Sequence, residues 1–161
     1  MSQSGSFGVN YLRTWTGSEG PLPAALRAVG SAPTGEFVFV QADGAVDQYG
    51  WVKIEQDGQA AMLTTTNAGS QGLLIGVAQV AAADNEYLWV WVGGLNGGGV
   101  GKGIRGKVAA GYVAKANLFT TATAGVADDA STTKIAYVVG LASTTPAAAV
   151  ELGSVAHAKV N

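Results

Sequence analysis

One stretch of this chain spells a site pattern: Gly101-Lys102-Gly103-Ile104-Arg105-Gly106, a G-x-G-x-x-G run. In a dinucleotide-binding fold such glycines let the backbone close on a pyrophosphate at the start of a crossover helix. Here the residues that follow, Lys107 to Val113, have no helical period, and glycine fills 24 of the 161 positions, so the match carries little weight. A phosphate-cradling P-loop fails too, because Asn96 stands where its first glycine belongs and Gly103 follows Lys102 where a hydroxyl must reach magnesium. Lys102, Arg105 and Lys107 still place three of the nine basic residues close together in a glycine-rich loop. Two readings stand: a solvated loop tip, or a contact for an acidic partner surface with Lys102 and Arg105 as its candidate residues.

The other chemistry-bearing residues are isolated. His157 is the only histidine and lies near the C-terminus, where chains fray, whereas a general base needs a held geometry. Asp128-Asp129 could pass for a carboxylate pair, but neighbours on a strand face opposite ways, and the flanking Gly, Ala, Ser and Thr read as a polar turn. No nucleophile elbow, H-E-x-x-H helix or calcium-binding loop occurs. Zero cysteines exclude disulfides, zinc–thiolate sites and thiol catalysis. The expectation is therefore a protein that is not an enzyme, with no catalytic, cofactor-binding or metal-binding residue and no cofactor.

The elements that surround these residues are those of an all-β chain. Only 12 % of residues are charged, which excludes coiled coils and charge-rich disorder. A net charge of −2 argues against nucleic acid as a partner, and no run approaches the ~20 apolar residues of a membrane helix. Residues 1–33 read as an extended arm, with scattered aromatics, three of the four prolines, and at most one helical turn at 24–28. From residue 34 to 161 apolar residues alternate and turn signals recur about every ten residues, which predicts one small antiparallel β-barrel or β-sandwich. Strands are expected at 36–41, 50–56, 60–66, 72–80, 86–92, 106–110, 112–115, 117–121, 134–142 and 147–152.

Several of these strands are apolar on both faces. Tyr87, Trp89 and Trp91 point one way while Leu88, Val90 and Val92 point the other, and Phe37 and Phe39 oppose Val38 and Val40 in the same manner. Either a second sheet and the arm cover the extra face, or another chain does. On the latter reading Tyr87, Trp89 and Trp91 are subunit-interface candidates. Phe7, Tyr11, Leu12 and Trp15 of the arm, which fit neither a helix nor a strand period, become anchors for a partner.

Residues 72–93, Gly-Leu-Leu-Ile-Gly-Val-Ala-Gln-Val-Ala-Ala-Ala-Asp-Asn-Glu-Tyr-Leu-Trp-Val-Trp-Val-Gly, resemble the head decoration (capsid cement) proteins of tailed bacteriophages. An apolar strand reading Ile-Gly-Val-Ala meets a short Asp-containing turn and an alternating strand that ends in Gly. A second copy of the idea runs through 110–120, 126–129, 135–142 and 147–152. The resemblance spans about residues 34–153. It implies a structural virion protein, made in the host cytoplasm, that sits on the outer capsid surface as a homo-oligomer, a trimer above all. Its partners would be the major capsid protein and further copies of itself, its task the stabilisation of contacts between capsomers. A tail or baseplate component is the second reading, and a small β-barrel enzyme the third.

Overall fold

The structure, a computed structural model, describes residues 10–16, 29–32, 35–69, 74–94, 103–130 and 132–160. Twelve strands and no helix occur among them: β1 (Thr14–Trp15), β2 (Val29–Ala32), β3 (Gly35–Ala42), β4 (Trp51–Ile54), β5 (Gln59–Met62), β6 (Ile75–Ala78), β7 (Tyr87–Gly93), β8 (Arg105–Val108), β9 (Asn117–Thr120), β10 (Ala127–Asp128), β11 (Lys134–Gly140) and β12 (Ala148–Val160). The all-β expectation holds. The possible helical turn at 24–28 and most of the glycine loop at 93–103 lie outside the described residues.

The strands form two barrels where one domain was expected. In the first, β3 pairs with both β5 and β7, which closes the ring β3-β7-β6-β4-β5; β1 and β2 add to its outside along β7 and β3. In the second, β8, β9, β10, β11 and β12 close in the order β10-β8-β12-β11-β9. The pairing scheme is the same in both. Counting strands from one to five in each barrel, the first is parallel to the third and antiparallel to the fifth, the second is antiparallel to the third and fourth, and the fourth is antiparallel to the fifth.

The repeat extends to the turns. Between first and second strands, Gly44 (φ 83°) and Tyr49 (φ 62°) in one barrel correspond to Gly111 (φ 88°) and Lys115 (φ 65°) in the other. Between second and third strands, Gly58 (φ 88°) corresponds to Gly125 (φ 70°). Left-handed backbone is open to glycine and costly for most other residues, so its recurrence at matching places marks one module used twice. The sequence at 112–115, expected to be a strand, is the second copy of this turn; its apolar residues serve a plug, Tyr112, rather than a ladder. The pair Ala127–Asp128, expected to be a turn, is the short third strand that closes the second barrel.

Two apolar clusters hold the assembly together. One fills the first barrel, with Val38, Val40, Val52, Ile54, Leu88 and Val90 all buried. The other joins the outer face of that barrel (Phe37, Phe39, Trp51, Trp89, Trp91) to the interior of the second (Ile104, Tyr112, Leu118, Leu152). Trp51 is the central piece, fully buried, with its indole N–H donating to the Lys107 carbonyl at 2.8 Å. It lies across β8 because residue 106 is glycine: a Cβ there would stand 3.1 Å from Trp51 Cζ2 and 3.0 Å from Leu152 Cδ1.

Backbone hydrogen bonds also cross between the barrels. The Lys107 N–H donates to the Tyr49 carbonyl, Trp51 N–H to Gly125, Gly125 N–H to Leu63 and Thr65 N–H to Thr121, at 2.8–3.1 Å. Gln79, 1 % exposed, imitates a strand: its Nε2 donates to the Arg105 carbonyl (2.9 Å) and its Oε1 accepts the Arg105 N–H (3.0 Å). A buried amide with both ends satisfied fixes one register between the barrels, since a slip would strand four polar groups. Among the described residues no helix is long and apolar enough to cross a membrane.

Candidate interaction surfaces

Of the arm residues expected to dock elsewhere, Tyr11 and Trp15 turn back onto their own barrel. Tyr11 stacks on Phe37 with ring centroids 4.9 Å apart, and Trp15 meets Phe39 edge-on at 5.6 Å while β1 pairs with Leu88 and Tyr87. Trp15 belongs to the shared core. Leu12 alone of these points outward, 65 % exposed. Phe7 lies outside the described residues.

The aromatic strand needs a correction. Trp89 (3 % exposed) and Trp91 (fully buried) are interior residues of the single chain, because the second barrel and the arm supply the cover that a partner was expected to give. Tyr87 is half-buried and stacks on Phe39 at 5.8 Å. Lys102 lies outside the described residues. Arg105 is exposed yet engaged by its own chain, its guanidinium 5.6 Å from the Tyr49 ring centroid and donating to the Ala149 carbonyl. Lys107 pairs with Asp47 at 2.7 Å, so the basic triplet at 102–107 is no free patch as far as it is described.

His157 stands on the long strand β12 rather than on a frayed end, and its side chain lies outside the described residues. The Asp129 carboxylate accepts the Val113 N–H at 3.0 Å, and that of Asp128, the last residue of β10, accepts the Asp129 N–H at 2.8 Å, so both carboxylates are spent on backbone N–H groups. Among the described residues no three His, Cys, Asp or Glu side chains gather to hold a metal.

Tyr112 plugs the second barrel. Its hydroxyl donates to the Ala116 carbonyl (2.8 Å) and accepts the Gly140 N–H (2.9 Å). Burial pushes this phenol above the usual tyrosine pKa, the Gly140 backbone opposes the shift, and the Asp129 charge adds to it. The folded state therefore prefers the neutral form more than the unfolded chain does. That contribution is complete below the unfolded value, about 10, and is lost as pH rises through the folded one. Denaturant titrations from pH 9 to 12 should show stability falling with a slope that Tyr112→Phe reduces, although Phe costs about 1–3 kcal/mol at neutral pH by orphaning Gly140 N–H. Equal slopes in both proteins would show that Tyr112 does not carry the alkaline loss.

Two features were missed in the sequence. Residues 35–94 carry seven carboxylates against one lysine, Lys53, a formal net of −6, whereas residues 103–160 carry five bases against three acids, a net of +2. The whole-chain value of −2 averages this division away. The second is Tyr137, half exposed, with φ 69° at the bulge where the β11–β12 register shifts. Nothing in a Tyr between apolar strand residues announces a left-handed backbone.

Comparison with protein families, with curated proteins and with solved structures finds no match to this chain.

Proposed function

We propose that the chain is a structural virion protein that binds the outer surface of a bacteriophage capsid as an oligomer and stabilises contacts between capsomers. The observation that carries this reading is the repeated barrel: one chain holds two copies of the same module at a spacing fixed by a common core and by backbone hydrogen bonds. A rigid pair of like modules suits a task in which one molecule bridges two neighbouring positions on a lattice, and a fixed spacing keeps low the entropy lost on engaging both. In the phrase at 72–93 that resembles phage head decoration proteins, residues 75–93 form β6, β7 and the turn between them, the last two strands of the first barrel, and the part of its echo at 135–152 falls in β11 and β12, the last two strands of the second.

The test is co-sedimentation of the purified protein with expanded phage heads stripped of decoration, together with the temperature at which those heads rupture. Saturable binding to heads with a raised rupture temperature is the expected result. Failure to bind heads, with binding to tails or baseplates, would move the protein to the other end of the virion.

A further inference from the structure

The geometry points to a contact between copies of this chain in which the Tyr137 patch of one copy's second barrel docks on the acidic loop end of another copy's first barrel. On the docking side, Tyr137 is half exposed and held in a left-handed conformation that a tyrosine adopts only when the surrounding strands impose it. Lys159 caps its ring, with Nζ 5.3 Å from the centroid. Lys134 lies beside them: Ala136 pairs with Lys159, and Lys134 is two residues from Ala136 on the same strand, so both lysines project from one face while Ile135 and Val160 point inward. Neither lysine meets a carboxylate among the described residues. An exposed aromatic ring is the kind of side chain that anchors an interface, and the two lysines beside it supply charge that an acidic surface complements.

The receiving side is on the same chain. The loops that follow β3 and β4 and precede β7 meet at one end of the first barrel, where Asp43 N–H donates to the Ala60 carbonyl and Gly44 N–H to the Asp84 carboxylate, both at 2.9 Å. Asp43, Asp57, Asp84 and Glu86 gather there; the hydrogen bonds of the last three go to backbone N–H groups or to Asn85, and none of the four pairs with a cation among the described residues. Charge complementarity thus selects another copy as the occupant. The contact joins different patches of the two molecules, so it is head-to-tail and closes into a ring if the rotation permits. It deepens the oligomer named above and depends on that part of the proposal alone.

Sedimentation velocity at low and at 1 M salt, on the full chain and three variants, tests the contact. Tyr137→Gly removes the ring at a backbone position that glycine favours, so the fold is kept. Lys159→Glu and Asp43→Lys each reverse the charge on one side; Asp43 is exposed, whereas Lys159 is half-buried beside Leu74, so a melting temperature close to the parent's is required of Lys159→Glu before its sedimentation is compared. Self-association should weaken at least tenfold in high salt and in each variant alone, while an equimolar mixture of Lys159→Glu with Asp43→Lys recovers paired species. A wild-type chain that stays monomeric at low salt, or single variants that associate like the parent, would overturn the contact. A monomer that nevertheless saturates phage heads would also overturn it while leaving the capsid role intact; a salt-sensitive oligomer that ignores heads would support the contact and remove the capsid role.

Discussion

Trp51→Ala is expected to lower the unfolding free energy by about 3–5 kcal/mol, the range for deleting a large aromatic side chain from a packed core. In a chain of this size that corresponds to a fall of about 6–20 °C in melting temperature. Three effects act together: a fully buried indole is lost, the Lys107 carbonyl loses its side-chain donor, and a cavity opens between Gly106 and Leu152 at the junction of the barrels. Trp51→Phe separates them, since it keeps most of the volume and removes the hydrogen bond, and it should cost less than half as much. Because the shared core spans both modules, the parent protein should unfold in one transition, followed equally by tryptophan fluorescence and far-ultraviolet circular dichroism. Two resolved transitions in the parent, or a Trp51→Ala protein within about 1 kcal/mol of it, would mean that the barrels stand independently.

Much of the fold was legible because period-two patterning reports burial directly. Strands β3, β4, β7, β9 and β11 lie where alternation places them. The number of barrels was not legible. Closure depends on β3 pairing with two partners at once, and a strand's sequence says that its faces are covered without saying by what. The same ambiguity produced the misreading of Trp89 and Trp91: a strand apolar on both sides fits a subunit contact and an interior between two barrels of one chain equally well. The repeat was visible as a similarity of phrasing, yet of its three matched left-handed pairs two fall on glycines, too common in this chain to stand out, and the third on Tyr49 and Lys115, whose side chains give no hint of backbone conformation. The surface reading suffered from averaging. Charges summed over the chain hid an acidic barrel beside a basic one.

Deleting residues 1–16 should destabilise the protein rather than leave its barrel untouched. The deletion removes the β1 pairing with Leu88 and Tyr87, takes Trp15 out of the shared core, and strips Tyr11 from Phe37. Burial of one Trp contributes about 1.5–3 kcal/mol, and each aromatic pair adds about 0.5–1.5 kcal/mol. Trp15→Ala alone should therefore cost about 3 kcal/mol, a fall of about 6–12 °C in melting temperature. Leu12→Ser, by contrast, changes an outward residue and should stay within about 0.5 kcal/mol of the parent. The two substitutions divide the roles of the segment. If it is only a cover, Leu12→Ser binds phage heads as the parent does, and Trp15→Ala binds in proportion to its folded fraction. If the segment also anchors the chain, Leu12→Ser loses head binding at unchanged stability, because Leu12 is the large apolar side chain of the described segment that its own barrel leaves exposed. A truncated chain that melts with the parent but no longer binds heads would reject the cover altogether and return the aromatics of the arm to the capsid.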